Sequence, residues 1–355
     1  MSLGWVIDLG QFSKIAMIEV PIAFLVRRFG RCGGMESYVW NLADELSRSG
    51  VKIYVICEEV VESIRNVSVC VVPESNSPRS YRRLSDFGVY AHEVVTTLRK
   101  EIPDLIVHAH ERSVNPDVIT AHGTLFNPKK NAVKSFFSPR ISTWLRLQRN
   151  DFVKARKIVP VSSLIADQIL DYYGDEFTPK ISRPGLPAVD SIKGQQISRS
   201  QSALRQSFKV VFVGTEWKRK GLDAVVSLCS VLKLVGIELT LEVYGPRPRS
   251  LPAKYTAMEW IILHGWSDRI PYEKFDLLML LSKDEPFGMV VIEALQHGVP
   301  CLLSDRVGAA RHLESGFMIF KNVVDVQFIN DLIALVNSDL TLNLGRHGET
   351  WQNGT

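Results

Sequence analysis

Short apolar runs alternate with longer amphipathic stretches along most of this chain, and the alternation occurs twice. In the first half the runs Ile22–Val26, Lys52–Cys57, Leu105–His108, Val118–Ala121 and Ile158–Val161 have the length of buried strands. Between them Met35–Ser49, Asp86–Lys100 and Ser162–Tyr173 read as helices. In the first of these Tyr38, Val39, Leu42 and Leu46 recur at helical spacing ahead of Gly50, a stop signal. Strands separated by helices imply parallel sheets with crossover connections. The pattern restarts with Val210–Val213 and a helix from about Gly221, then Glu238–Tyr244, Trp260–Leu263, Leu277–Leu281, a helix from about Gly288, and Pro300–Leu303. A polar stretch rich in Gly, Gln, Ser and Arg, residues 188–207, is the expected linker. The expectation is an α/β chain of two Rossmann-like domains, 17–187 and 208–340, with the start of a crossover segment or a tail at 341–355. Ligands of such sheets bind beyond the carboxyl ends of the strands, so two domains facing each other would share a cleft.

Size and composition agree. A length of 355 residues suits two domains, each able to bury its own core. The net charge of +4 is too small to point to nucleic acid. Five cysteines, odd in number and without C-x-x-C spacing, argue against a disulfide framework or a zinc site and fit a reducing compartment, so the expected location is cytoplasmic. The early apolar run Ile15–Val26 is broken by Glu19 and Pro21 and is too short to span a bilayer. Residues 1–16 read as a leader without a structural role.

Three segments carry chemistry. The first is Asp284-Glu285-Pro286-Phe287-Gly288-Met289-Val290-Val291-Ile292-Glu293. Apolar neighbours surround Glu293 on most of the helix circumference, which predicts a helix buried all round and a carboxylate that needs hydrogen-bond donors. A ribose diol would supply two; a core Arg or His is the plain alternative. Gly288 lets a ligand approach the backbone, and the free N–H groups of the helix start suit an anion. The second segment, Phe212-Val213-Gly214-Thr215-Glu216-Trp217-Lys218-Arg219-Lys220-Gly221, sets three cations beside glycines between a strand and a helix. It can neutralise a pyrophosphate or be ordinary solvated surface. The third, Gly30-Arg31-Cys32-Gly33-Gly34-Met35-Glu36, is either a phosphate-approach loop or a tight turn.

Together these segments resemble retaining GT-B glycosyltransferases of the family 4 type, the group that includes bacterial lipopolysaccharide-core glucosyltransferases and mannosyltransferases. The resemblance runs from about Ile22 to Val336. Its most specific part is Glu285 and Glu293, seven residues between them, in Glu-Pro-Phe-Gly followed by Gly298-Val299-Pro300. The Phe-Val-Gly to Arg-Lys-Gly segment looks closest to the lipopolysaccharide-core glucosyltransferases. The resemblance implies a nucleotide-diphosphate sugar as substrate, UDP- or GDP-linked, with no cofactor and no metal. It implies His122, in Ile119-Thr120-Ala121-His122-Gly123, and Glu285 as catalytic residues at the donor sugar. Gly33, Gly34, Arg219, Lys220, Phe287, Gly288, Met289 and Glu293 are the implied donor-binding residues, with Glu293 on the ribose. Four positions depart from the family pattern. Thr215 replaces a phosphate-binding Arg, Val307-Gly308-Ala309-Ala310-Arg311 replaces Gly-Gly-x-x-Glu, Pro184-Gly185 replaces Asn-Gly, and the sequence ends soon after Trp351, about where the family's terminal crossover helix is expected to begin.

Between Asn127 and Lys157 nine cations face one acid, Asp151, with Phe136, Phe137, Trp144 and Leu145 interleaved. That pattern suits an anionic membrane surface or an anionic acceptor; a solvated helix face over core aromatics is the alternative. The expected function is transfer of a hexose, with retention, to a glycan or glycolipid acceptor in bacterial cell-surface polysaccharide synthesis, peripheral on the inner face of the membrane. A nucleotide-sugar epimerase and a non-catalytic nucleotide- or glycan-binding partner subunit are the competing readings. Nucleic acid is not an expected partner.

Overall fold

The computed structural model describes residues 20–112, 115–186, 207–245, 247–267 and 269–338. The described residues up to Leu186 form one compact unit and those from Ser207 a second. The expected leader, the tail at 341–355 and all of the expected linker except Ser207 lie outside the described residues.

In the first unit β1 (Ile22–Leu25), β2 (Arg28–Phe29), α1 (Gly34–Arg48), β3 (Ile53–Cys57), β4 (Glu59–Val60), β5 (Val67–Val71), α2 (Ser80–Glu101), β6 (Ile106–Ala109) and β7 (Val118–Ala121) follow in order. After them come α3 (Pro128–Phe137), α4 (Pro139–Lys154), β8 (Lys157–Pro160) and α5 (Ser163–Tyr173). Six strands form a parallel sheet in the order β5-β3-β1-β6-β7-β8. The second unit repeats the plan with β9 (Ser207–Val213), α6 (Leu222–Leu234), β10 (Glu238–Tyr244), α7 (Ala253–Thr256), β11 (Ile261–Gly265), β12 (Leu277–Leu280), α8 (Met289–Gln296), β13 (Cys301–Leu303), β14 (Phe317–Ile319) and α9 (Val326–Asn337). Its sheet, also parallel, runs β11-β10-β9-β12-β13-β14.

Both sheets show the Rossmann order, the third strand outermost and the direction of winding reversing beside the first. The reversal falls between β1 and β6 in one and between β9 and β12 in the other. Central strands are covered on both faces, and β3 and β12 are buried at every residue, which is why they read as unbroken apolar runs. The second core joins Val210 and Phe212 of β9, Val225 and Cys229 of α6, and Leu241 and Val243 of β10.

Two expectations need correction. The α8 helix is not buried all round: Val291, Ala294 and Leu295 are buried, whereas Met289, Val290, Ile292, Glu293 and Gln296 are half-buried. A helix on one face of a sheet buries the stripe that meets the strands, and its apolar flanks here are only partly covered. The edge strands β5 and β14 went unread, β5 because it is buried at none of its residues and exposed at Ser68 and Val71, β14 because it is only three residues long and half-buried throughout.

Gly221 pins the second domain's switch point. It caps α6 at φ +83, and a Cβ there would run into the carbonyl oxygen of Leu281. Gly221→Ala should therefore cost about 1–3 kcal/mol through backbone strain and that collision. Denaturant unfolding of the substituted chain measures it, and a loss under a few tenths would mean that the loop yields freely.

Candidate active site

At the switch point of the second domain the loops after β9 and β12 are stitched together. The N–H of Lys283 and the hydroxyl of Ser282 both donate to the carbonyl of Arg219, at 2.8 and 3.0 Å. This turns the basic segment inward. Arg219 Nη1 donates to the Asp284 carbonyl at 2.6 Å and to Glu285 Oε2 at 3.2 Å. Lys220 Nζ stands 3.3 Å from the same carboxylate oxygen, and its aliphatic stem runs over Gly214, where a Cβ would collide with it. Lys218, by contrast, is exposed, its ammonium over the Trp217 ring at 5.1 Å. Two of the three cations thus meet the Glu285 carboxylate, and the third stands in solvent beside Trp217.

Glu285 is buried and its backbone is fixed. Its N–H donates to the Arg306 carbonyl, its own carbonyl accepts from Gly308 N–H, and Phe287 O accepts from Ala309 N–H, at 2.8–2.9 Å. The segment that departs from the family's Gly-Gly-x-x-Glu therefore still braces Glu-Pro-Phe-Gly. Phe287 is buried, its ring 6.4 Å from that of His312, a packing position. Gly288 caps α8 at φ +99, where the left-handed turn favours glycine. Met289 follows, half-buried, in the first turn.

Among the described residues neither an Arg nor a His hydrogen-bonds the Glu293 carboxylate. The hydroxyl of Tyr272, a buried residue, donates to Glu293 Oε2 at 2.9 Å. Burial pushes the Glu293 carboxyl above its ordinary range, opposed by the Tyr272 hydrogen bond, Lys220 and His297. Lys220 is therefore the electrostatic link between both glutamates. Tyr272 escaped the sequence reading, since no motif marks it. The same edge of the sheet carries a cavity of about 380 Å³ lined by Thr215, Gly245, Arg247, Ser250 and Trp266. Trp266 is 67% exposed. These residues follow the ends of β9, β10 and β11, and only Thr215 had been singled out from sequence.

Gly33, Gly34 and His122 belong to the first domain. Gly33 caps α1 in an extended conformation, φ −172, which any residue adopts. The constraint there is space, because the Glu36 carboxylate folds against it. A carboxylate therefore covers this helix start, and an anion would have to displace it. His122 follows β7 and sits in an aromatic cluster. Its ring meets Tyr38 edge-on at 4.7 Å, and its Nε2 lies 2.8 Å from His110 Nδ1. Burial lowers the His122 pKa to about 3 and that of His108 to about 4. His108, His110 and Tyr38 were missed, although the His-x-His spacing of a strand places both rings on one face.

Nine cations of 129–157 are all exposed, but the aromatics divide. Trp144 is partly buried, stacked on Phe126 at 5.4 Å beneath the Arg112 guanidinium at 4.4 Å. Phe136 and Phe137 are 89% and 86% exposed, and α3 has no buried residue. Among the described residues no helix is long and apolar enough to cross a membrane, and no group of three His, Cys, Asp or Glu could hold a metal ion.

Known families match both halves. Glycosyltransferase Family 4 matches residues 32–182 and Glycosyl transferases group 1 matches residues 194–347. A probable transglycosylase of Burkholderia thailandensis is 23% identical over 286 residues, 78% of this chain and 75% of that protein. A D-inositol 3-phosphate glycosyltransferase of Nocardia farcinica is 24% identical over 347 residues, 86% of this chain and 77% of that protein. Among solved structures, WaaG, a glycosyltransferase involved in lipopolysaccharide biosynthesis, superposes with a TM-score of 0.68 at 17% identity, covering 89% of this chain and 90% of WaaG. HepE of Anabaena, solved with UDP and glucose, gives a TM-score of 0.60 at 16% identity, covering 90% and 93%. At such identities the superpositions speak for the fold, and the family matches extend over most of both Rossmann-like domains. The chain belongs to the GT-B glycosyltransferases of the family 4 type.

Proposed function

We propose that the protein moves a hexose, with retention of configuration, from a UDP- or GDP-linked sugar to a glycan or glycolipid acceptor in bacterial cell-surface polysaccharide synthesis. The observation that carries the reading is the convergence of Arg219 and Lys220 on Glu285 beside the start of α8, with Glu293 further along the same helix. As the nucleoside diphosphate departs, negative charge grows on the pyrophosphate. Lys220, Arg219 and the N–H groups beyond Gly288 stabilise it in place of a metal. Glu293 accepts from the ribose hydroxyls, and Glu285 from hydroxyls of the sugar. The base enters the cavity beside Trp266, whose volume suits a small ligand. The first domain takes the acceptor, and His122, Gly33 and Gly34 are its proposed ligand-contacting residues. The glycosyltransferases among the relatives, and the UDP in the HepE structure, support this assignment. Thermal stabilisation across a panel of nucleotide sugars, followed by transfer assays, tests it. A ligand at a hundred times its dissociation constant adds about 2.7 kcal/mol, and a panel without any shift would sink the reading. Product formed without acceptor would favour an epimerase.

Turnover should persist in EDTA, because the cationic pair does the work of an ion. Activity abolished by chelation and restored by magnesium or manganese would refute that part.

We place the protein in the cytoplasm, with α3 docked on the inner membrane face. Val133, Phe136 and Phe137 stand exposed beside Lys130 and Lys134 on one short helix. Each cation near an anionic surface adds about 1 kcal/mol, screened beyond about 8 Å at physiological salt. Co-sedimentation with anionic vesicles, reversed by salt and by Lys130→Glu with Lys134→Glu, is expected. Lys129 is left intact because its ammonium donates to the Asp171 carbonyl. No binding at low salt would overturn the docking.

A further inference from the structure

The histidine cluster defines which hydrogen His122 can offer. In the parallel pairing of β6 with β7, His108 stands beside Val118 and Ala109 beside Ile119. Alternation then brings His108, His110, Thr120 and His122 to one face. The contacts agree. His108 Nε2 lies 2.7 Å from Thr120 Oγ1, and His110 Nδ1 lies 2.8 Å from His122 Nε2. The His108 and His110 rings stack at 4.3 Å.

A nitrogen-to-nitrogen contact of 2.8 Å holds one proton. Two arrangements satisfy it. If His122 Nε2 were the donor, the single N–H of neutral His110 would sit on its own Nε2. That atom is buried and has no hydrogen-bond partner. The arrangement would strip an N–H of water and give it nothing in return. If His110 Nδ1 is the donor, the buried Nε2 carries only a lone pair, and every N–H of the pair is used or accessible. His122 then bears its proton on Nδ1. Burial holds all three imidazoles neutral well below the usual histidine range, so ionisation does not scramble the choice.

We propose that His110 is a positioning residue that locks His122 in the Nδ1–H tautomer, making His122 a fixed hydrogen-bond donor to a substrate oxygen. In that state His122 cannot serve as a base: Nε2 is occupied by His110, and Nδ1 already carries its proton. The half-buried ring, next to exposed Gly123, presents Nδ1–H to a group with lone pairs, such as a sugar hydroxyl or ring oxygen. The identity of that oxygen rests on the glycosyl-transfer reading; the tautomer does not.

Long-range proton–nitrogen correlation spectra of the full chain, labelled at histidine and free of substrate, report the tautomers directly. Both His110 and His122 should show the Nδ1–H pattern near neutral pH. His110→Asp, whose carboxylate can only accept, should put a proton on His122 Nε2, and His110→Asn, whose amide can donate from a similar position, should keep Nδ1–H with Nε2 bare. An Nε2–H signal for His122 in the unsubstituted chain overturns the proposal. So does a His122 Nε2 that stays unprotonated in folded His110→Asp. Since no substrate is present, loss of the transferase reading would leave this result standing, and the reverse also holds.

Discussion

Lys220→Ala should lower turnover by about 10²- to 10³-fold, the usual cost of removing one preorganised donor from a developing charge. The ammonium stands 3.3 Å from Glu285 and also acts on Glu293, and under the proposed function the departing diphosphate gathers its charge beside it. Affinity for the nucleoside diphosphate should fall with it, while affinity for the bare nucleoside should hardly change. Titration calorimetry with both ligands separates the cases. An equal loss for both would mean that Lys220 supports the fold of the loop instead of binding phosphate. Arginine is a poor substitute here, since a planar fork on a shorter aliphatic stem cannot follow the lysine's path over Gly214.

Glu293→Ala should weaken binding of the nucleoside diphosphate by about 1.5–3 kcal/mol, roughly 10- to 150-fold, through loss of a charged acceptor for the ribose. Unchanged affinity in a folded variant would return Glu293 to a purely structural role. The pH dependence gives a second handle. Burial raises the Glu293 pKa and the Tyr272 hydroxyl lowers it. As pH falls through the raised pKa the carboxylate gains a proton and its capacity as acceptor drops, so binding weakens on the acid side. Tyr272→Phe removes the lowering influence. The weakening should then begin at a higher pH than in the unsubstituted chain, and a curve displaced toward acid would contradict the assigned sign.

The α/β plan was legible because its signal is local. A central strand such as Leu277–Leu280 is apolar at each residue, and α1 carries its core contacts at helical spacing. Among the elements that escaped, α3 and β5 are weakly buried. The α3 helix has no buried residue and so no apolar period to read, and β5 is an edge strand with an exposed end. The exposure of Phe136 and Phe137 beside a partly buried Trp144 was equally invisible, because composition counts all three alike.

By itself the sequence determined the class of fold, the two glutamates of the Glu-Pro-Phe-Gly segment, and the supply of cations and glycines near them. Those follow from periodicity and from residue types at short spacing, which a linear chain displays in full. Tertiary structure alone decided the partners. Arg219 meets a carboxylate 66 positions away, Tyr272 reaches Glu293 across 21, and His110 meets His122 across 12. Each pairing depends on strand order and register: β9 must lie next to β12, and β6 must align with β7. Those arrangements arise from burial summed over whole sheets, and no short stretch of the chain carries them.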